Sequence, residues 1–350
     1  MLLFRFSMVC LVCLIFIQCS KSDNPVESNY TNNFQTADPF EQTARMAPGI
    51  NFGNALEAPV EGEWGMTIEW SYFFLLEDAG FQSIRIPIRW SAHAEESAPY
   101  TISETFFNRI DWVVAKTLES GMIAVINMHH YDALFLDPQG HKTRFKHLWA
   151  QIAEHYQDYH EDLIFEILNE PHDQINNTSI WNSYFPEILD TIRVTNPTRN
   201  IIIGPGSWNS VHEIPSLIFP EDDHHLIATF HYYEPYHFTH QGADWADGSS
   251  EWLGTTWTAT ASQRAQVDQD FNQAKVWGNE KKRPVYMGEF GVYSEADMTS
   301  RVIWTDYMAR HAEACGFGWA YWEFGSGFGV YDCVNNIWRT QLLEALIPAE

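Results

Sequence analysis

Positive charge is scarce in this chain. Its 350 residues include 20 lysines and arginines against 46 aspartates and glutamates, which gives a formal net charge of −26 at pH 7. A surface with this excess of negative charge repels the phosphate backbone of DNA and RNA, whose binding depends mainly on cationic side chains. The composition therefore excludes a nucleic acid as the partner.

Cysteine is equally rare. Of the five cysteines, Cys10, Cys13 and Cys19 lie near the N-terminus, and only Cys315 and Cys333 remain for the folded part. One disulfide between these two is compatible with the sequence but is not required by it. The folded part has no CxxC pair and no cysteine beside a histidine motif, so the sequence indicates neither a zinc knuckle nor a thiol nucleophile.

Long apolar runs are absent except at the N-terminus. The stretch MLLFRFSMVCLVCLIFIQ, residues 1–18, has one charge at Arg5 and then an apolar run, which is typical of an export signal. Cys19 follows directly, in an arrangement that resembles a bacterial lipoprotein signal. We therefore expect an exported protein, either secreted or held at the cell surface or outer membrane by a lipid on Cys19; a simple secretory peptide with an incidental Cys19 is the alternative.

The chain after the export signal divides into a short polar segment and one long body. Residues 19–40 are rich in Ser, Asn, Thr and Asp and have few apolar side chains, so we expect a flexible tether. Residues 41–350 are expected to form a single catalytic domain. No run in this body approaches the ~20 apolar residues that a membrane span needs.

Eight short apolar runs alternate with longer stretches of helical spacing from about residue 48 onward. The predicted strands are GINFGN (49–54), QSIRIPI (82–88), MIAVINM (122–128), LIFEIL (163–168), NIIIG (200–204), LIATFH (226–231), PVYMGE (284–289) and FGWAYW (317–322). Repeated βα units require a parallel sheet, and eight of them in about 300 residues predict a (β/α)₈ TIM barrel of the α/β class. A doubly wound open sheet is the alternative fold, but the first strand is not followed by GxGxxG.

Polar and aromatic side chains occur at the ends of these predicted strands. A TIM barrel carries its chemistry at the C-terminal ends of its strands, so these side chains are expected to meet at one mouth. They are Asn54, Arg85, His129, His130, Asn169, Glu170, Trp208, His231, Tyr233, Glu289, Trp322 and Glu323.

Two glutamates stand out among them. Glu170 ends the fourth strand in NEP and Glu289 ends the seventh in GEFG. Hydrolysis of a glycosidic bond needs one carboxyl that donates a proton to the leaving oxygen and one carboxylate that attacks the anomeric carbon or activates water. If Arg85 and Tyr233 lie beside Glu289 they favour its charged form, which leaves Glu170 as the candidate proton donor.

The ordered set of motifs resembles glycoside hydrolase family 5, the cellulase-type endoglycanases. It comprises RIPIRW in strand two, HH after strand three, NEP, HYY after strand six and GEFG, and the similarity spans about residues 46–340. The resemblance implies a retaining hydrolase that needs no metal or other cofactor, with Glu170 as acid/base and Glu289 as nucleophile. The remaining active-site positions that it implies are Arg85, His129, Asn169, His231, Tyr233 and Trp322.

Three longer segments resemble the subgroup of endoglucanases that also cleave β-mannan. They are GINFGNALEAPVEGEWG, YEPYHFTHQGADW and WAYWEFGSGFGVYD. This resemblance implies a β-1,4-linked polysaccharide substrate, with glucan and mannan both as candidates. We expect the enzyme to act as a monomer. The pattern does not rank glucan, mixed-linkage glucan, xyloglucan and mannan. The positions that it implies in contact with the sugar are Asn54, Glu57, His130, His240, Trp245 and Glu323.

A long segment after the sixth strand, residues 232–260, holds Trp245, Trp252 and Trp257. Connections longer than ~12–15 residues are usually functional or disordered, and a tryptophan face suits the C–H face of a sugar ring. We expect Trp245 to be a platform for one sugar, whereas Trp252 and Trp257 are equally compatible with anchoring the segment to the barrel.

Two other functions compete with hydrolysis by a carboxylate pair. His129, His130, His231, Glu170 and Glu289 are residue types that bind metals, but the HxH of metal-dependent barrel hydrolases is absent from the end of strand one. A surface glycan-binding barrel without turnover is the non-enzymatic alternative. It predicts a missing catalytic carboxylate, and both are present.

Overall fold

The computed structural model describes residues 36–349. The predicted export signal, Cys19 and most of the predicted tether lie outside these residues. The helices are α1 (Pro39–Ala44), α2 (Trp70–Ala79), α3 (Glu104–Glu119), α4 (Asp132–Leu136), α5 (Pro138–His155), α6 (Thr178–Arg193), α7 (Gly206–Asn209), α8 (Tyr236–Thr239), α9 (Ala261–Lys281), α10 (Met298–Cys315) and α11 (Thr340–Leu346). The strands are β1 (Gly49–Asn51), β2 (Ser83–Ile86), β3 (Ile123–Asn127), β4 (Leu163–Glu166), β5 (Ile201–Ile203), β6 (Leu226–Tyr232), β7 (Val285–Phe290), β8 (Gly318–Tyr321), β9 (Tyr331–Asp332) and β10 (Ile337–Trp338).

Strands β1 to β8 form a closed barrel in which each strand pairs with its sequence neighbour and β8 returns to β1. The pairs are parallel, and at least one helix lies in each connection between consecutive strands. The predicted (β/α)₈ barrel is confirmed, and all eight predicted strands are present. Strand β1 is shorter than predicted because Asn54 has a φ of 62°, which a strand does not accommodate.

The side chains of the strands alternate between the barrel interior and the helix layer. Ile123 and Val125 belong to a small buried cluster of the interior, whereas Ala124 and Ile126 pack in the larger core between strands and helices. The same alternation on β4 places Ile164 inward, and Glu166 therefore points inward as well. The polar residues of the mouth thus lie directly above a layer of apolar side chains in the barrel interior.

The folded part begins earlier than residue 41. Helix α1 starts at Pro39, and the Asp38 side chain accepts hydrogen bonds from the backbone N–H groups of Phe40 and Glu41. An aspartate cap followed by proline favours helix initiation at this point, a signal that the polar composition of the segment obscured. The last residues of the predicted tether therefore belong to the barrel.

The described residues do not pair Cys315 with Cys333, since both are free thiols. Within residues 36–349, none of the helices has the length and apolar character required to cross a bilayer.

Candidate active site

Arg85 is the centre of a charged network inside the mouth of the barrel. Its Nε and Nη2 donate to the two oxygens of Glu166 at 2.6 and 2.9 Å. Its Nη1 donates to Glu289 Oε1 at 2.6 Å and to Asn51 Oδ1 at 2.9 Å, while Nη2 also donates to Asn169 Oδ1 at 2.7 Å. The buried guanidinium is therefore shared between two carboxylates, and it fixes the orientation of both carboxamides.

The two glutamates singled out in the sequence meet beside His231. Nδ1 of His231 lies 2.7 Å from Glu170 Oε1 and 3.5 Å from Glu289 Oε2. One oxygen of each carboxylate and one ring nitrogen lie within 4.8 Å of one another. The hydroxyl of Tyr233 donates to Glu289 Oε2 at 2.9 Å. Both carboxylates therefore face one space, with two strong donors on Glu289.

The surroundings of Glu170 and Glu289 act differently on the pKa values of the two carboxyl groups. Burial raises the pKa of Glu170 to about 7, and the Arg85 charge opposes this only in part. Burial also raises the pKa of Glu289, and the nearby Glu170 adds to this, but His231, the directly bonded Arg85 and the Tyr233 hydroxyl oppose the rise. Glu289 is thus the carboxyl that its neighbours favour in the ionised form, and Glu170 is the one suited to hold a proton near neutral pH.

Trp322 and His129 form one wall of this space. Their rings are stacked with 6.1 Å between centroids and 12° between planes. Asn127 lies 3.1 Å from Nδ1 of His129, and burial lowers the pKa of that histidine well below its usual value, so its imidazole is neutral. Gly53 leaves room for the indole, since a Cβ at this position would lie 2.7 Å from the Trp322 ring.

Asn54 joins two buried glutamates at the edge of the mouth. Its backbone N–H donates to Glu57, and its Nδ2 donates to Glu323 Oε2 at 2.9 Å. Burial raises the pKa of Glu57 to about 8 and that of Glu323 to about 7. Glu57 is only 1% exposed, and its carboxyl group already accepts from two backbone N–H groups. Asn54 is half-buried, whereas Glu57 and Glu323 are buried, so Asn54 is the most accessible of these three residues.

A second group of predicted residues lines the side of Tyr233. The His240 ring lies edge-on to Tyr233 with 5.0 Å between centroids, and Trp245 lies beyond His240 at 6.5 Å. Trp245 is 58% exposed, whereas Trp257 is completely buried and packs on Tyr307. Trp257 therefore anchors the segment 232–260 to the barrel, a role that the sequence alone did not decide.

Trp252 and His130 are held by neighbouring rings. Trp252 is stacked on His237 with 4.3 Å between centroids. The ring of His130 lies edge-on to His129 at 4.5 Å and to Trp64 at 5.5 Å. Trp64 was not among the predicted site residues, although it lies in the loop after β1, where a barrel builds its mouth.

No role was predicted from the sequence for Glu166 or Trp208. Glu166 makes two hydrogen bonds with Arg85, and its signal was a charged residue within the apolar strand LIFEIL. Trp208 is 53% exposed and stacks on His172 with 5.3 Å between centroids and 6° between planes. His172 lies two residues beyond Glu170, so this exposed ring is on the Glu170 side of the mouth.

Glu170, His231 and Glu289 are the only group of three metal-binding side chains that converge within residues 36–349. We do not assign them to a metal, because each is already engaged by a hydrogen bond within the protein. A cation between them would also lie close to the guanidinium of Arg85, which is 2.6 Å from Glu289. The donor set fits proton transfer better than metal binding.

Comparison with known proteins identifies relatives of the whole barrel. Residues 47–327 match the family model described as cellulase (glycosyl hydrolase family 5). The chain is 40% identical over 318 residues to Endoglucanase H of Acetivibrio thermocellus, an alignment that covers 89% of this chain and 34% of that protein. The chain thus spans about a third of the length of this curated relative.

Solved structures of similar proteins share the fold. Thermotoga maritima Cel5A in complex with cellobiose superposes with a TM-score of 0.87 at 46% identity, covering 89% of this chain and all of that one. The complex of the same protein with mannotriose gives the same score, identity and coverage of this chain.

Proposed function

Since this chain belongs to glycosyl hydrolase family 5, we propose that it is a retaining endo-β-1,4-glucanase that cleaves internal bonds of β-1,4-linked polysaccharides. The observation that carries the proposal is the convergence of Glu170 and Glu289, which bring one oxygen each to within 4.8 Å. Retaining glycosidases hold their two carboxyl groups ~5–5.5 Å apart, whereas inverting enzymes need ~6.5–9.5 Å to admit a water.

The proposed reaction has two displacements. In the first, Glu289 attacks the anomeric carbon, the bond to the leaving oxygen breaks, and Glu170 transfers its proton to that oxygen. In the second, the ionised Glu170 takes a proton from water, the resulting hydroxide attacks the anomeric carbon, and the ester to Glu289 breaks. Glu170 ends protonated and the anomeric configuration is retained.

Arg85 and Asn169 support the sugar bound next to Glu289. Because Arg85 Nη2 donates to Asn169 Oδ1 at 2.7 Å, the Nδ2 end of this carboxamide is available to the substrate. We propose that it donates to the 2-hydroxyl of that sugar, and that the Trp322 ring covers the sugar's C–H face. His129, His130, Asn54, Glu57, His240, Trp245 and Glu323 are proposed to support further contacts.

Glucan and mannan are both proposed as substrates. The structural relatives include one protein bound to cellobiose and also to mannotriose. Glucose and mannose differ only in the orientation of the 2-hydroxyl, so a site with adaptable polar partners at this position accepts both. Product analysis on glucan, mixed-linkage glucan, xyloglucan and mannan tests this, and activity on only one of them would remove the dual specificity.

The mechanism is tested by stereochemistry and by two matched variants. Proton NMR of early products should show retention, and inversion would exclude Glu289 as nucleophile. Glu170→Ala and Glu289→Ala should each lower turnover on β-1,4-glucan by several orders of magnitude. An activated aryl glycoside needs little acid assistance in the first displacement, so its kcat/KM should survive Glu170→Ala but not Glu289→Ala. Equal losses on it would contradict the assigned roles.

Two measurements address the competing functions. Dialysis against EDTA should leave the activity unchanged, whereas a loss restored by a divalent cation would favour a metal-dependent hydrolase. A protein that binds cellohexaose without releasing reducing ends would instead be the glycan-binding barrel.

A further inference from the structure

Asn209 is a completely buried residue directly behind the proposed active site. It ends helix α7, a single turn in which Ser207, Trp208 and Asn209 all have left-handed φ angles of 54–55°. This turn brings the Asn209 carboxamide against His231, where its Nδ2 lies 3.3 Å from the ring Nε2. The backbone of Ser210 also forms a bridge with His231. Asn209 is therefore held beside one nitrogen of the histidine whose other nitrogen faces Glu170.

The space around Asn209 is shaped for this carboxamide. Gly204 follows strand β5, and a Cβ at that position would lie 2.6 Å from Cγ of Asn209. Within residues 36–349, the Asn209 Oδ1 has no hydrogen-bond partner. The Asn209 carboxamide thus has His231 as its hydrogen-bond partner. Any residue larger than glycine at position 204 would displace this carboxamide.

The charges around His231 decide which ring nitrogen carries the proton. Burial lowers the pKa of His231 to about 4, so the ring is neutral near pH 7 and has a single N–H. Nδ1 faces a carboxylate oxygen of Glu170 at 2.7 Å and one of Glu289 at 3.5 Å. Once Glu170 has lost its proton, a lone pair on Nδ1 would repel both carboxylates, whereas an N–H would donate to them. The remaining lone pair on Nε2 then needs a donor, which only the amide end of Asn209 supplies among the described residues.

We infer that Asn209 is a positioning residue that holds His231 in the tautomer with its proton on Nδ1, so that His231 donates to Glu170. The inference rests on the proposed function, because it assigns Glu170 the role of base in the second displacement. In that step Glu170 is ionised, and a donor on Nδ1 stabilises this form before water is deprotonated. The other titratable or charged groups around the pair are Arg85, His129, Glu166, His172, Tyr233 and Tyr236.

Two substitutions separate this role from packing, and both tolerate a left-handed backbone. Asn209→Asp keeps the shape of the side chain but replaces the N–H donor with a carboxylate, which draws the ring proton to Nε2. Asn209→Gly removes the side chain. Both should lower kcat for an activated aryl glycoside, whose turnover is limited by the second displacement, by about tenfold. The same variants should change kcat/KM, which reports the first displacement, less than about threefold.

The tautomer itself is read by NMR of the enzyme labelled with ¹⁵N-histidine, without substrate, using His231→Gln to assign the ring signals. At pH 8.5, where Glu170 is ionised, the unsubstituted protein should show Nδ1 protonated and Nε2 unprotonated, and Asn209→Asp should show a protonated Nε2. A protonated Nε2 in the unsubstituted protein would overturn the inference while leaving the proposed hydrolysis intact. A uniform loss of kcat and kcat/KM with unchanged ¹⁵N shifts would also overturn it, since that pattern indicates packing alone. Inversion of configuration, by contrast, would remove the proposed function and leave the tautomer as measured.

Discussion

Glu170→Gln is expected to stabilise the protein at neutral and alkaline pH while removing its acid catalyst. Burial moves the pKa of Glu170 from 4.5 to about 7. The native state therefore holds this proton more tightly than the unfolded chain does. The contribution of Glu170 to the free energy of unfolding is most favourable below pH 4.5 and is lost as the pH rises through about 7. A pKa difference of this size corresponds to at most about 3 kcal/mol.

Glutamine has nearly the same shape but carries no charge, so the substitution should abolish this loss. At pH 8.5 we expect Glu170→Gln to raise the free energy of unfolding by up to about 3 kcal/mol, or Tm by roughly 5–10 °C. At pH 4 the two proteins should be equally stable. Denaturant titrations and calorimetry at both pH values provide the comparison. Glu77→Gln is a matched control, because it removes an exposed charge on α2.

Glu170→Gln is also expected to change how kcat/KM depends on pH. For the unsubstituted enzyme, kcat/KM on a cello-oligosaccharide should fall as the pH rises through about 7, because only the protonated Glu170 donates to the leaving oxygen. Glu170→Gln should retain kcat/KM only on an activated aryl glycoside, with no loss of kcat/KM at alkaline pH. A persistent alkaline limb in this variant, or a stability difference that does not change between pH 4 and 8.5, would refute the reasoning.

Four further substitutions test other parts of the site and the segment beside it. Glu289→Gln should abolish turnover on glucan and on activated aryl glycosides alike, and measurable turnover of either would exclude it as nucleophile. Glu166→Gln removes a buried counter-charge of Arg85 and should lower the free energy of unfolding by about 3–5 kcal/mol in denaturant titrations; unchanged stability would show that the pair contributes nothing. Trp245→Ala should raise KM for oligosaccharides without lowering Tm, since its ring is 58% exposed. Trp257→Ala, at a fully buried position, should lower the unfolding free energy by about 3–5 kcal/mol instead; the reverse pattern would exchange their roles.

Most of the strand ends could be read from the linear pattern. A parallel barrel brings the C-terminal ends of all its strands to one face whatever its helices contain, so Glu170 and Glu289 had to share a mouth once eight βα units were recognised. Arg85 and Tyr233 were expected to favour the ionised form of Glu289 if they lay beside it. The structure has both contacts.

Other features depended on contacts that no local pattern contains. Glu166 reads as one charge in an apolar strand, and its bidentate bond to Arg85 joins residues 81 positions apart. Glu57 was implied by the resemblance as a sugar contact, but in the structure it is buried and its carboxyl group accepts the backbone N–H groups of Asn54 and Ala55. The start of helix α1 at Pro39 was hidden by a polar composition typical of tethers.

The sequence by itself determined the alternation of strands and helices, and with it the barrel and the face that carries the chemistry, because side-chain periodicity and chain connectivity are local properties. Only the tertiary structure decided how the side chains at that face are paired. Packing between distant segments determines the burial of Glu170 and the sharing of Arg85 between two carboxylates. It also brings Asn209, in a left-handed turn, against His231. The pKa values of these side chains depend on burial and neighbouring charge, so the tertiary structure decides them as well.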